Sequence, residues 1–199
     1  MTDEDLGNVK GRAIRDFLGW YLKEHGMTRI ESAFDRLDPA DRAFFRIDQP
    51  ALGIAAATWY PARTIHRALD GLTHGLGPDD IDRLADRGGQ ATVRAMMRGA
   101  QGIVFALLAS PKRWGFFVGK FWPLSYDNGR ANYETLGPNA DVTLITEWRS
   151  HHPLLCRLNT AVKVTIYESI GCRNTTIDRR FCVDHGDAGC GSRLHWEDG

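Results

Sequence analysis

The stretch RRFCVDHGDAGCGSRLHW, residues 179–196, decides how this chain is read. A Gly-Asp turn separates two short runs, and a cysteine stands on each side of it, Cys182 and Cys190. Both runs look like short strands, and a glycine-containing break between two such runs marks a hairpin. Strands are expected over about 175–183 and 190–196, with both thiols near the hairpin's mouth.

Upstream, SHHPLLCRLNTAVKVTIYESIG (150–171) places Leu154, Leu155, Leu158, Val162, Ile166 and Ile170 at helical spacing, with Ser150 as the expected N-cap. Before it, RANYETLG (130–137) and ADVTLITEW (140–148) alternate around the turn GPNA, so a second hairpin is expected. The order from about residue 128 is therefore strand-strand-helix-strand-strand.

The first two-thirds of the chain carries the longer period. Ile14, Phe17, Leu18, Tyr21 and Leu22 form one stripe that ends at Gly26, and Ile30, Phe34 and Leu37 repeat the pattern. A third helix is expected after Trp59-Tyr60-Pro61, with Pro61 in its first turn and Ile65, Leu69 and Leu72 as its stripe. Residues 77–111 read as one or two further helices: Asp79, Asp80 and Asp82 suit the positive end of the dipole, and Gly88-Gly89 is a candidate break. The expected fold is α+β. An N-terminal helical layer (about 1–127) packs on a C-terminal four-stranded antiparallel sheet (about 128–199) in a single domain over 1–199, since no linker separates the halves.

Lys and Arg together number 25, as do Asp and Glu, so the chain has no excess positive charge to hold a phosphate backbone, and nucleic acid is not an expected partner. MTDEDLGNVKGR lacks the basic and apolar regions of a secretory signal. GAQGIVFALLAS (99–110) is too short to cross a bilayer and reads as a buried helix. A cytoplasmic protein with reduced thiols is expected.

If the helix 150–171 packs on the sheet to bury its stripe, Cys156 at its start meets Cys182 and Cys190. Three sulfurs in one corner suit zinc, whose structural sites normally have four ligands. Cys172 lies about four turns further along the helix, too far to share the site. A disulfide, or plain packing of reduced thiols, which are among the most buried side chains, explains the same residues, and spacing alone leaves all three readings open.

The pattern Cys-x-x-x-Gly-Asp-x-x-Cys, here CVDHGDAGC (182–190), resembles the closing signature of the 4-vinyl reductase-type small-molecule-binding domain. Phenol-sensing members of that superfamily hold zinc with a helix cysteine, a glutamate three residues before the first hairpin cysteine, and the two hairpin cysteines. The resemblance therefore implies metal ligation by Cys156, Cys182 and Cys190. At the glutamate position stands Arg179, which cannot ligate zinc; Asp178, His185 or water are the substitutes. WYP (59–61), the stretch from Ser110-Pro111 to Asn128-Gly129, HPLLC (152–156) and Trp196 are similar to an uncharacterised myxobacterial paralogous family of the same kinship. The resemblance implies the fold of haem-nitric-oxide sensors and TRAPP subunits, commonly dimeric through the N-terminal helices.

SPKRWGFFVGKFWPLSYDNG (110–129) is the most aromatic stretch. On a helix Trp114, Phe117, Val118 and Phe121 share a face, and Trp114, Phe117, Phe121, Trp122 and Tyr126 are the candidate lining of an apolar pocket, with Tyr126 or a nearby histidine to anchor a hydroxyl. The same stripe also reads as core. Haem is not expected, because the Tyr-x-Ser-x-Arg clamp of haem sensors has no counterpart here. No Gly-rich phosphate loop, Gly-x-Ser-x-Gly or His-Glu-x-x-His occurs, so no catalytic residues are assigned. The expectation is a non-enzymatic small-molecule-binding or regulatory module, a homodimer that signals through a protein partner. It takes a small apolar or aromatic molecule, with zinc as the possible metal. The alternatives are a structural adaptor with a filled cavity and, on the family name alone, a tetrapyrrole-related enzyme.

Overall fold

Only a helix places residues three and four apart on one face, and the stripes of the N-terminal half become helices for that reason. In the computed structural model, which describes residues 6–98 and 110–198, these are α1 (Arg15–His25), α2 (Met27–Phe34), the single turn α3 (Pro39–Arg42), α4 (Ala62–Thr73) and α5 (Pro78–Met96). Gly26, at φ 78°, closes α1 and turns the chain directly into α2. The expected buried helix at 99–110 lies, apart from Ser110, outside the described residues.

α6 (Pro111–Phe121) follows, capped by the Ser110 side chain, which accepts from the Arg113 amide. The expected hairpins are β3 (Arg130–Gly137) with β4 (Ala140–Thr146) and β5 (Arg173–Phe181) with β6 (Gly189–Glu197), and α7 (Pro153–Ser169) lies between them in sequence. The four strands form one antiparallel sheet in the order β3-β4-β6-β5. β4 pairs with β6 from Ala140↔His195 to Thr146↔Gly189, which makes β6 a central strand and fixes Cys190 opposite Ile145. α7 packs on α5 on one side and on β5 and β6 on the other. The architecture is thus the expected α+β arrangement, a helical layer on a four-stranded antiparallel sheet.

Three local expectations are corrected. Gly88 and Gly89 do not break α5. Both are buried, and a Cβ there would meet the Phe17 ring at 2.6 Å and Ala161 Cβ at 2.7 Å, so the pair is a contact surface for α1 and α7. Pro61 is the N-cap of α4 rather than part of its first turn, because it still belongs to a strand. That strand, β2 (Trp59–Pro61), pairs with β1 (Asn8–Lys10), and three-residue strands carry too little periodicity to be read from sequence. Ser150 does not cap α7. His152 does, its Nδ1 accepting from the Leu154 amide at 3.1 Å.

One core cluster runs from Val9 through the helices to Leu155, Cys156, Cys182 and Cys190, and a second gathers Val93, Ile166, Tyr167, Leu194 and Trp196. No described helix is long and apolar enough to cross a membrane.

Candidate functional site

The motif that opened the sequence reading forms a tight, cross-bonded loop. After β5 the chain makes one 3₁₀ turn at Val183–His185 and reverses at Gly186, whose φ of 88° favours a residue without a Cβ. The Asp187 carboxylate folds back to accept from the Cys182 amide at 2.8 Å, and the Cys182 carbonyl accepts from the His185 amide at 2.8 Å. Glycine and aspartate at this spacing therefore hold Cys182 over Cys190 in β6.

Cys156 arrives from the other side, in the first turn of α7, its amide bonded to the His152 carbonyl at 2.9 Å. Cys182 Sγ lies 3.5 Å from Cys190 Sγ and 3.7 Å from Cys156 Sγ. A fourth donor completes the set: His151 Nε2 stands 3.3 Å from Cys182 Sγ, and the four ligand atoms all lie within 4.8 Å of one another. Tetrahedral ligation at about 2.3 Å for sulfur and about 2.05 Å for nitrogen sets S···S at about 3.8 Å and S···N at about 3.6 Å. The observed separations match that geometry. A disulfide does not describe it, since the four cysteines are all free thiols.

Crowding also sets the three thiols apart in acidity. The Cys190 thiol is drawn down to about 4, first by the hydrogen bond from Cys156 and then, against the cost of burial, by His151. Its donor Cys156 is held well above the usual thiol range by that same bond and by burial, and burial raises Cys182. A soft cation would take each of these sulfurs as a thiolate. Among the described residues the donor set is Cys₃His, and it fits zinc.

The His151 ring is half-buried and meets the Trp148 ring edge-on at 5.0 Å. The segment carrying it is fixed by Asn128, whose Oδ1 accepts from the amides of Arg149 (2.8 Å) and Ser150 (3.1 Å). The buried ring of His152 reaches Asp70 at 3.1 Å, and His66 Nε2 reaches the Ser150 carbonyl at 3.1 Å. The substitutes considered from sequence lie elsewhere. Asp178 pairs with Arg180, His185 is exposed, and Arg179 turns to Asp82 at 3.8 Å. The signal for His151 was its place five residues before Cys156, ahead of a proline that starts α7.

Beside the four donors lies a cavity of about 160 Å³, and Cys156 and Cys190 are part of its wall. Trp114, Phe121, Trp122 and Tyr126 line it together with residues of all four sheet strands and the inner face of α7. Phe117 is not among the described lining residues; it stacks on Phe121 at 5.8 Å between centroids. Trp122, Tyr126 and Trp148 form a packed trio, so part of the aromatic stretch is wall and part is core. Buried Tyr126 accepts at its hydroxyl from Asn159 Nδ2 at 3.0 Å.

No family model matches the chain, and no curated protein matches it. Solved structures do. An alanine-to-glycine variant of the Fe(II) unliganded H-NOX protein from K. algicida superposes with a TM-score of 0.68 at 12% identity, over 96% of this chain and 97% of that one. The fold is that of the H-NOX proteins. The S. oneidensis H-NOX protein in its Fe(II)NO state gives 0.65 at 13% identity, over 95% and 99%. A structure from a study of haem distortion in the H-NOX family gives 0.63 at 7%, over 95% of each chain.

Haem itself does not fit the residues of this cavity. All seven histidines lie among the described residues, and none lines it. Among the described residues that could ligate haem iron, only Cys156, Cys190 and Tyr126 line it, the first two within the four-donor cluster and the third bonded to Asn159. The volume is also well below the roughly 300–1,000 Å³ of sites for drug-sized ligands.

Proposed function

We propose that the chain is a non-enzymatic, cytoplasmic ligand-binding module of the 4-vinyl reductase-type kinship. It holds a structural zinc ion at Cys156, Cys182, Cys190 and His151 and takes a small apolar or aromatic molecule into the adjoining cavity. The observation that carries this reading is that two of the four donors, Cys156 and Cys190, are also cavity wall. A ligand pressing on that wall shifts α7 and β6 together, which is how its arrival would reach the surface. The size suits one ring, since a cavity of about 150 Å³ lined by aliphatic and aromatic groups takes benzene. Zinc would tie the hairpin to α7 in the way that structural metal sites supply folding energy.

The module acts on this proposal as a homodimer through its N-terminal half, where Met27, Phe44 and Trp59 are exposed, and passes its signal to a protein partner. Native mass spectrometry of the purified full chain, with metal analysis, tests the reading. One zinc per chain and a bound small molecule are expected. Metal-free protein with four readily titrated thiols sinks the zinc site. Cys182→Ser should cost several kcal/mol if the metal is lost, against about 1 kcal/mol for a packing thiol.

A second reading, a structural adaptor working through its surface, is supported by the same small volume. Persistently ligand-free spectra favour it. A tetrapyrrole substrate meets the same size limit as haem and is not proposed.

A further inference from the structure

The cavity-facing stripe of α7 is largely polar, set against the apolar wall of Trp114, Phe121 and Trp122. Cys156, Asn159, Thr160 and Lys163 follow one another at three, four and seven residues from the first, so they share one face. Lys163 is only 8% exposed, and its ammonium donates to Asp141 Oδ1 and to Thr143 Oγ1, the latter at 2.9 Å. Asp141 is fully buried, and its second oxygen accepts from the Tyr167 hydroxyl, so this carboxylate is bonded on both sides. An ammonium has three N–H groups, and the described residues accept two of them.

A second donor faces the same space. The Tyr126 oxygen accepts from Asn159, which leaves its own O–H to give, and burial keeps that phenol protonated. Lys163 and Arg179 line the cavity, whereas no carboxylate does among the described residues. A purely structural ion pair needs neither a void beside it nor donors to spare.

We infer that the cavity takes a small monocarboxylic acid with a one-ring or short-chain body, its carboxylate against the Lys163 ammonium and its apolar part against Trp114, Phe121 and Trp122. This rests on the cavity reading above and gives that site its ligand class. Burial lowers the Lys163 pKa against the pull of Asp141.

The test compares benzoate with toluene, the same ring without the charge, by calorimetry on the zinc-loaded full chain. Benzoate should bind at least about tenfold more tightly, the scale of a charged hydrogen bond. The double variant Lys163→Gln/Asp141→Asn keeps amide hydrogen bonds in the core while removing both charges. It should abolish the preference and leave toluene binding unchanged. If that variant fails to fold, Tyr126→Phe keeps the test open: it should weaken benzoate several-fold and spare toluene. Toluene binding without tighter benzoate binding overturns the acid proposal and leaves the cavity reading standing, as does a preference that survives the double variant. Binding of neither overturns both.

Discussion

His151 shows how much one ring can carry. It closes a donor set that the hairpin and α7 leave at three sulfurs, and it does so from a segment whose path is set by Asn128 and Trp148. His151→Ala should weaken zinc retention by at least about tenfold, the lower range seen when even an outer partner of a metal ligand is lost, measured by competition with a chromophoric chelator. Unchanged affinity would remove His151 from the set. Asn128→Ala touches no donor, yet it strips the acceptor from two backbone amides, so it should cost about 1–3 kcal/mol in urea unfolding.

Among the elements, α5 and α7 meet in a close joint, and glycine makes it possible. A Cβ at position 89 would stand 2.7 Å from Ala161 Cβ and 3.0 Å from the Val162 amide nitrogen, inside ordinary contact distance and against backbone. Gly89→Ala therefore cannot gain the usual helix-propensity benefit. It should destabilise by about 1–3 kcal/mol through overpacking, read as a lower urea midpoint at unchanged slope. Because α7 carries Cys156 and Lys163, the same change should also loosen the metal site. A glycine pair in mid-helix reads as a break when only propensity is considered. Its burial against a second helix is a tertiary fact, and it outweighs propensity here.

On the scale of the whole molecule, the helical layer is tied to the sheet side partly through a histidine. His66 in α4 reaches the Ser150 carbonyl ahead of α7 and lies 5.2 Å from the His152 ring, with Asp70 nearby. Burial, with a further push from His152, lowers its pKa from 6.5 to about 4. Between those values the unfolded chain binds the extra proton. The site's contribution is therefore complete above pH 6.5 and falls as the pH drops toward 4, by about 2 kcal/mol at pH 5. Urea unfolding of zinc-free protein at pH 7.5 and pH 5 should show this loss in the wild type. A smaller loss is expected in His66→Gln, whose amide can still donate to the Ser150 carbonyl. Equal losses would assign the acid sensitivity to other groups.

The sequence by itself determined the strand-strand-helix-strand-strand order after residue 128, both of its hairpins, and the main helical stripes before it. Those follow from periods of 3.6 and 2 and from turn residues, which act over a few neighbours. It also placed Trp114, Phe121, Trp122 and Tyr126 in one aromatic segment, though not the division of that segment between wall and core. The tertiary structure alone decided the central place of β6, the approach of α5 to α7 at Gly88-Gly89, and the fourth donor, His151. It alone brought Lys163 beside Asp141 and Thr143. Each of these joins residues far apart in the chain, or depends on how a loop is held by them. Such contacts are set by the packing of faces against one another, and no local period records that.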